Sequence, residues 1–131
     1  MRRPVKATVL AVIAVLCLAP LELPAATASS PPPPSRLLVT GREYSLTLSR
    51  AKINPGRSIV QFKNSGEDPH DLVLKRFGET RTIGAGETAP GDVAQFNAHL
   101  ARGAHYVLFC SIADHKALGM KAFLVARRHR R

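Results

Sequence analysis

At 131 residues and a formal charge of +10, with 45% hydrophobic residues and 21% charged ones, the chain is long enough for one domain and too short for two with separate cores. The excess of lysine and arginine does not form a basic stripe interleaved with stacking aromatics, so nucleic-acid binding is excluded as the leading function.

Arg2, Arg3 and Lys6 precede an uncharged apolar run from Ala7 to Ala19, and Ala26-Thr27-Ala28 offers a small-x-small cleavage site. Residues 1–28 therefore read as a secretory signal peptide. The apolar run is about 13 residues, short of the roughly 20 a membrane-crossing helix needs, so no transmembrane segment is expected in the mature chain. Val15-Leu16 ahead of Cys17 are not the small residues that a bacterial lipid-anchor cysteine requires. Cleavage leaves 103 residues at +8 with a single cysteine, Cys110, in an export compartment, either periplasmic or extracellular at the cell envelope. A lone thiol under oxidising conditions is a liability unless it is buried, paired between chains, or held by a metal or a reaction.

Residues 29–35 carry four consecutive prolines, Pro31 to Pro34, and read as an extended linker. The folded domain is expected over residues 36–127 and a basic tail over 128–131, which continues the cluster Arg127-Arg128-His129-Arg130-Arg131. The tail keeps the domain soluble, and the positive balance makes acidic partners the expectation.

Within the domain the hydrophobic period is two. Tyr44, Leu46 and Leu48 alternate with Ser45, Thr47 and Ser49, giving a half-buried strand. The turn Asn54-Pro55-Gly56 leads to a second strand, Ser58 to Lys63, ending at Asn64-Ser65-Gly66, and the pair reads as a hairpin. After Pro69, which suits a strand start, His70 to Lys75 forms a strand in which His70 shares its face with Leu72 and Leu74. A short strand is expected near Thr80 to Ile83, with Gly84-Ala85-Gly86 and Ala89-Pro90-Gly91 as turns. Val93 to Leu100, Ala104 to Cys110 and Met120 to Ala126 complete the set. Seven or eight short strands without a helix argue for an all-β fold, a Greek-key antiparallel β-sandwich, in a monomeric protein.

Cys110 ends a late strand, and His115 and Met120 follow in the next loop. Thiolate, imidazole and thioether favour copper over hard cations, and a thiolate with two imidazoles and a weak axial thioether make a trigonal site suited to electron transfer. Each residue alone has a plainer reading, Cys110 as a small buried hydrophobe and Met120 as a gap-filler, His115 as an ordinary loop histidine. Their order and spacing set them apart. His99, His105 and His129 lack a partner set, and His105 lies on the strand face opposite Cys110.

The pattern Cys110-x4-His115-x4-Met120, with His70 upstream in Asp-Pro-His-Asp-Leu, resembles the cupredoxins, the plastocyanin and azurin type of small blue copper protein, over about Leu37 to Val125. The resemblance implies one copper cycling between Cu(I) and Cu(II), with His70, Cys110 and His115 as equatorial ligands and Met120 as the axial one. It implies that the His115 edge, flanked by Ala117 and Leu118, is the electron port, and that the protein is no enzyme but a carrier between a redox donor and an acceptor. Two positions depart from the family pattern. Asp71 stands where an asparagine often braces the ligand loop, and Asp114 stands where a glycine often precedes the second histidine. Aspartate makes the same turn-stabilising contacts, and a carboxylate near the metal is expected to lower the potential. A copper sequestration or delivery role is the alternative, disfavoured by the single mature methionine. A cysteine nucleophile paired with a histidine base is the third reading, and no glycine-rich oxyanion loop adjoins Cys110.

Overall fold

The computed structural model describes residues 29–128. The expected signal peptide, residues 1–28, and residues 129–131 with His129 and the end of the tail lie outside the described residues. Among those described, nine strands follow in order: β1 (Ser35–Arg42), β2 (Ser45–Leu48), β3 (Lys52–Ile53), β4 (Gly56–Asn64), β5 (His70–Arg76), β6 (Thr82–Thr88), β7 (Val93–Leu100), β8 (His105–Phe109) and β9 (Lys121–Ala126). No helix among them is long and apolar enough to cross a membrane.

The strands form two sheets, β2-β1-β4-β7 and β3-β9-β8-β5-β6. Alternation drives their packing: Leu37 and Val39, Val60 and Phe62, Leu72 and Leu74, Tyr106 and Leu108, and Leu124 point into one shared core, each at most 5% exposed. Their polar alternates face water, as the period of two requires.

Four sequence expectations change. The sheets are mixed rather than wholly antiparallel, because β1 runs parallel to β4 and β3 parallel to β9. The expected first hairpin does not exist. β2 folds back on β1, with Arg42 opposite Ser45, the chain then crosses to the other sheet as β3, and β4 returns alongside β1 in the same direction. Strand β1 itself has no counterpart among the expected elements, since Leu37-Leu38-Val39 interrupts the alternation. Lastly, Gly84-Ala85-Gly86 is the middle of β6 and not a turn.

That glycine run has a steric cause. β6 pairs with β5 across an irregularity between His70 and Leu72, and a Cβ on Gly84 would lie 2.0 Å from the Leu72 carbonyl oxygen. Only glycine permits the approach. The register matters because it fixes the height of His70 at the end of β5, level with Thr88.

Gly84→Ala is expected to destabilise the fold by about 2–4 kcal/mol through this backbone clash. Gly86→Ala, whose Cβ would meet nothing within 4 Å, serves as the control and should stay within about 1 kcal/mol of wild type. Urea midpoints measure both, and equal losses in the two variants would refute the steric account.

Candidate metal centre

Strand ends and loops converge at one pole of the sandwich: the turn after β1, the segment from Asn64 to His70, and the loop from Cys110 to Met120. The last of these supplies two imidazole or thiol donors from a short span because its backbone closes on itself. The Cys110 N–H donates to the Met120 carbonyl at 3.1 Å, and the Met120 N–H donates to the His115 carbonyl at 2.9 Å. His115 N–H in turn donates to Ile112 at 3.2 Å and Leu118 N–H to Asp114 at 3.0 Å. Two residues adopt positive φ to close the loop, Ala113 at 46° and Gly119 at 117°. A side chain at Gly119 would be strained there.

His70 enters from the opposite side. It is fully buried, on the inward face of β5 with Leu72 and Leu74, as strand parity required. Its Nδ1 lies 3.2 Å from His115 Nδ1 and 3.9 Å from Cys110 Sγ, and His115 Nδ1 lies 3.6 Å from that sulfur. All three donor atoms fall within 4.8 Å of one another. An ion bonded at the lengths usual for imidazole and thiolate, about 2.0–2.3 Å, sits between donors spaced roughly 3–4 Å apart. The separations found meet that requirement, and the soft thiolate with two nitrogens suits a late first-row ion. Met120 is fully buried and tied by its backbone to both Cys110 and His115. A side chain on Gly41 would press on Phe62 and, at 3.1 Å, on the Met120 methyl. His99 and His105 are exposed and outside the cluster.

Burial sets the protonation chemistry. Desolvation pushes the Cys110 thiol up from its ordinary value, so the metal-free protein holds a neutral thiol that a bound cation would have to deprotonate. Cys110, the only free cysteine among the described residues, is completely inaccessible, which answers the liability its presence raised.

Three residues around the donors were not identified from sequence. The most consequential is Glu43, in the turn between β1 and β2. Its Oε1 stands 3.0 Å from His70 Nε2 and accepts the backbone N–H groups of Glu67 at 2.7 Å and Asp68 at 2.9 Å. The Asp68 N–H bond is the largest influence on this carboxyl, and with the other bonds it draws the pKa down to about 2. A carboxylate accepting from Nε2 leaves the Nδ1 lone pair directed at the cluster, the tautomer a metal ligand needs. Nothing local distinguishes Glu43 in sequence from any turn glutamate. Asn64 is the second. It is fully buried, its Nδ2 donates to the Asp68 and Thr88 carbonyls at 2.8 and 2.9 Å, and its Oδ1 accepts from Gly66 N–H at 3.0 Å. It pins the segment that delivers His70, and its parity with Val60 and Phe62 was the available signal. The third is Tyr44, expected as the start of a strand but lying in the turn before β2, with its ring 5.0 Å from that of His115.

Asp71 does brace the loop that follows Cys110. Its carboxylate accepts from the Ser111 N–H at 2.6 Å and also from the Ser111 hydroxyl. Asp114 is exposed and contributes its backbone carbonyl to the loop.

No protein-family model matches the chain, and no curated protein sequence does. Solved structures do. The chain is similar to the dithionite-reduced auracyanin of Roseiflexus castenholzii, with a TM-score of 0.59 at 18% identity over 70% of this chain and 95% of that one. It is also similar to auracyanin A of Chloroflexus aurantiacus, a "blue" copper protein, with a TM-score of 0.58 at 14% identity over 72% of this chain and 99% of that one. Auracyanin B gives 0.58 at 13% identity, over 70% and 87%. The sandwich with its pole of His70, Cys110 and His115 therefore has the fold of the small blue copper proteins. That fold is the cupredoxin fold.

Two predictions concern the supports of the cluster. Asn64→Ala leaves the buried Thr88 carbonyl without its partner and removes the bonds to the Asp68 carbonyl and Gly66 N–H, and should cost about 1–3 kcal/mol, read as a lower unfolding midpoint with the metal-free protein. For Glu43, a carboxyl lowered to about 2 contributes stability that is present above its unfolded value and lost as pH falls through the folded one. The stability difference between wild type and Glu43→Gln should be constant above about pH 5 and shrink between about 4.5 and 2. Denaturation at stepped pH measures it, and a pH-independent difference would refute the assignment.

Proposed function

We propose that the chain is an exported mononuclear type 1 copper protein that carries single electrons, with His70, Cys110 and His115 as equatorial ligands and Met120 as the axial one. The observation that carries the reading is the buried triad of one thiol and two imidazole Nδ1 atoms, all within 4.8 Å at one pole of a cupredoxin sandwich. Bound copper would supply a one-electron couple, tuned by the axial sulfur. The protein's part is to hold the donors in place. The loop hydrogen bonds, the Glu43 contact to His70 and the Asp71 brace fix the ligands before any metal arrives, so little rearrangement accompanies a change of charge.

Exposure differs among the donors in a way that suits an electron port. His70, Cys110 and Met120 have none, whereas His115 keeps 9%. Tyr44 and Leu118, 39% and 51% exposed, stand beside it, a small apolar rim of the kind short-lived redox complexes use. The same burial counts against the alternatives. A delivery protein must present its donors to an acceptor, and a cysteine nucleophile must reach a substrate. Export rests on the N-terminal pattern Arg2-Arg3, Ala7 to Ala19 and Ala26-Thr27-Ala28, and places the work in the periplasm or outside the cell, between a donor and an acceptor protein.

Titration with Cu(II) should give one equivalent bound and an intense visible band from the thiolate. Cys110→Ser should abolish the band, and Met120→Leu should keep it while raising the reduction potential, because loss of the thioether disfavours Cu(II). One proton should be released per copper near neutral pH in wild type and not in Cys110→Ser. A colourless complex of equal affinity in both proteins would overturn the proposal.

A further inference from the structure

The carboxylates of the domain are segregated by pole, while cations occur at both, with Arg42, Lys63, Lys116 and Lys121 near the metal pole. Glu43, Glu67 and Asp68 lie in the segments around His70, Glu87 and Asp92 flank the end of β6, and Asp71 and Asp114 adjoin the Cys110 loop. At the opposite pole the one carboxylate among the described residues is Glu79, 3.6 Å from Arg76. That far pole holds a cleft of about 770 Å³. Lys52, Arg102, Arg127 and Arg128 line it together with Asn54 and Val125, and no acidic side chain does.

The cleft adjoins a sheet face that carries both apolar and basic side chains. Val125 lies two residues beyond Phe123 on the outward side of β9, and the register sets Lys52, Val125 and His105 in one row and Phe123 and Val107 in the next. Lys75, opposite Val107, extends the second row. Phe77, whose N–H donates to the His105 carbonyl, extends the first. Phe77 and Phe123 are 56% and 58% exposed and stack on each other with centroids 6.1 Å apart. Two large aromatic side chains are thus left in water beside a cluster of unneutralised cations.

We propose that this basic pole, with the Phe77–Phe123 pair, is a docking surface for an anionic phospholipid bilayer. Clustered lysine and arginine are drawn to acidic headgroups, and exposed aromatics add binding by entering the headgroup boundary. Either feature alone suits many surfaces. Their continuity on one face, with every described carboxylate but Glu79 at the other pole, is what selects a charged interface that also accepts apolar side chains. Docked in this way, the domain turns His115 and its rim away from the lipid, leaving the metal pole open to a partner. The inference stands on charge placement and does not depend on copper, so its failure and that of the proposed function are separable.

The test is co-sedimentation of the full chain with vesicles of phosphatidylcholine and with vesicles in which about one third of the lipid is phosphatidylglycerol, the neutral vesicles correcting for the apolar N-terminal run. Wild type should partition at least about tenfold better to the anionic vesicles, each cation near the surface contributing roughly a fivefold factor, and should be released by added salt. Lys52→Glu with Arg102→Glu should lower anionic partitioning by more than about tenfold, and Phe77→Ser with Phe123→Ser should lower it with the charge preference retained. Lys52→Gln with Arg102→Gln, checked for unchanged thermal unfolding, keeps the test open should the charge reversal unfold the domain. Charge variants that partition as wild type, no preference for anionic vesicles, or binding to polyglutamate without binding to vesicles would each overturn the assignment.

Discussion

Two imidazoles and a thiol are held at one pole of the sandwich with almost no access to water, and the rest of that pole is arranged around the cost of doing so. Burying polar groups without partners is expensive, yet no buried side-chain nitrogen or oxygen among the described residues lacks a hydrogen-bond partner. The outlying ring nitrogen of His70 is met by Glu43, and Glu43 is met by the backbone of Glu67 and Asp68. Asn64 then secures Asp68 from inside. The imidazole is therefore the inner end of a chain of contacts that reaches solvent at Glu43 and at the exposed Glu67-Asp68 segment. Such a chain fixes ring orientation as well as tautomer, which packing by apolar neighbours alone would not do.

The second side of the cluster depends on backbone closure. Cys110, His115 and Met120 come from one loop whose two ends are joined by the Cys110 N–H bond to Met120, and whose middle is tied by the Met120 N–H bond to His115. The loop cannot open at Met120 without displacing Cys110. Asp71 joins this loop to the strand bearing His70 through Ser111, so the two halves of the site are coupled by one carboxylate next in sequence to a donor. An asparagine at position 71 would have one acceptor oxygen to offer the two Ser111 donors. The aspartate offers two.

Much of this was legible because strands encode facing in their period. Parity alone put His70 inward with Leu72 and Leu74, and Cys110 marked its own loop through the His115 and Met120 that follow it. The two-residue period says which way a side chain points and nothing about which strand lies beside it. Parallel pairing of β1 with β4 depends on a crossover through β3 in the other sheet, and no short stretch of sequence carries that. Gly84-Ala85-Gly86 has the composition of a turn and serves instead to let two backbones meet. Glu43 and Asn64 were hidden for a related reason. Glu43 acts on residues 24 or more positions away and Asn64 reaches Thr88 at 24, and a turn glutamate or strand-end asparagine has the same local signature whether it supports a site or only solvates a loop.

Net charge is a whole-chain quantity that says nothing about where on the surface the charges lie. A charge of +10 makes acidic partners the natural expectation, yet the face on which a redox partner would meet His115 is not where the cations are concentrated. Glu43 and Asp114 lie near that histidine, and Lys116, the nearest lysine in the loop, is folded over Phe109 at 3.8 Å from its ring. Attraction between proteins is governed by the charges within about a Debye length, roughly 8 Å at physiological salt, so the distant basic pole contributes orientation more than contact energy at the metal pole. A domain built this way behaves as a dipole. Its cations select which end faces an acidic surface, and recognition at the pole of His70, Cys110 and His115 is left to shape and the apolar side chains of Tyr44 and Leu118.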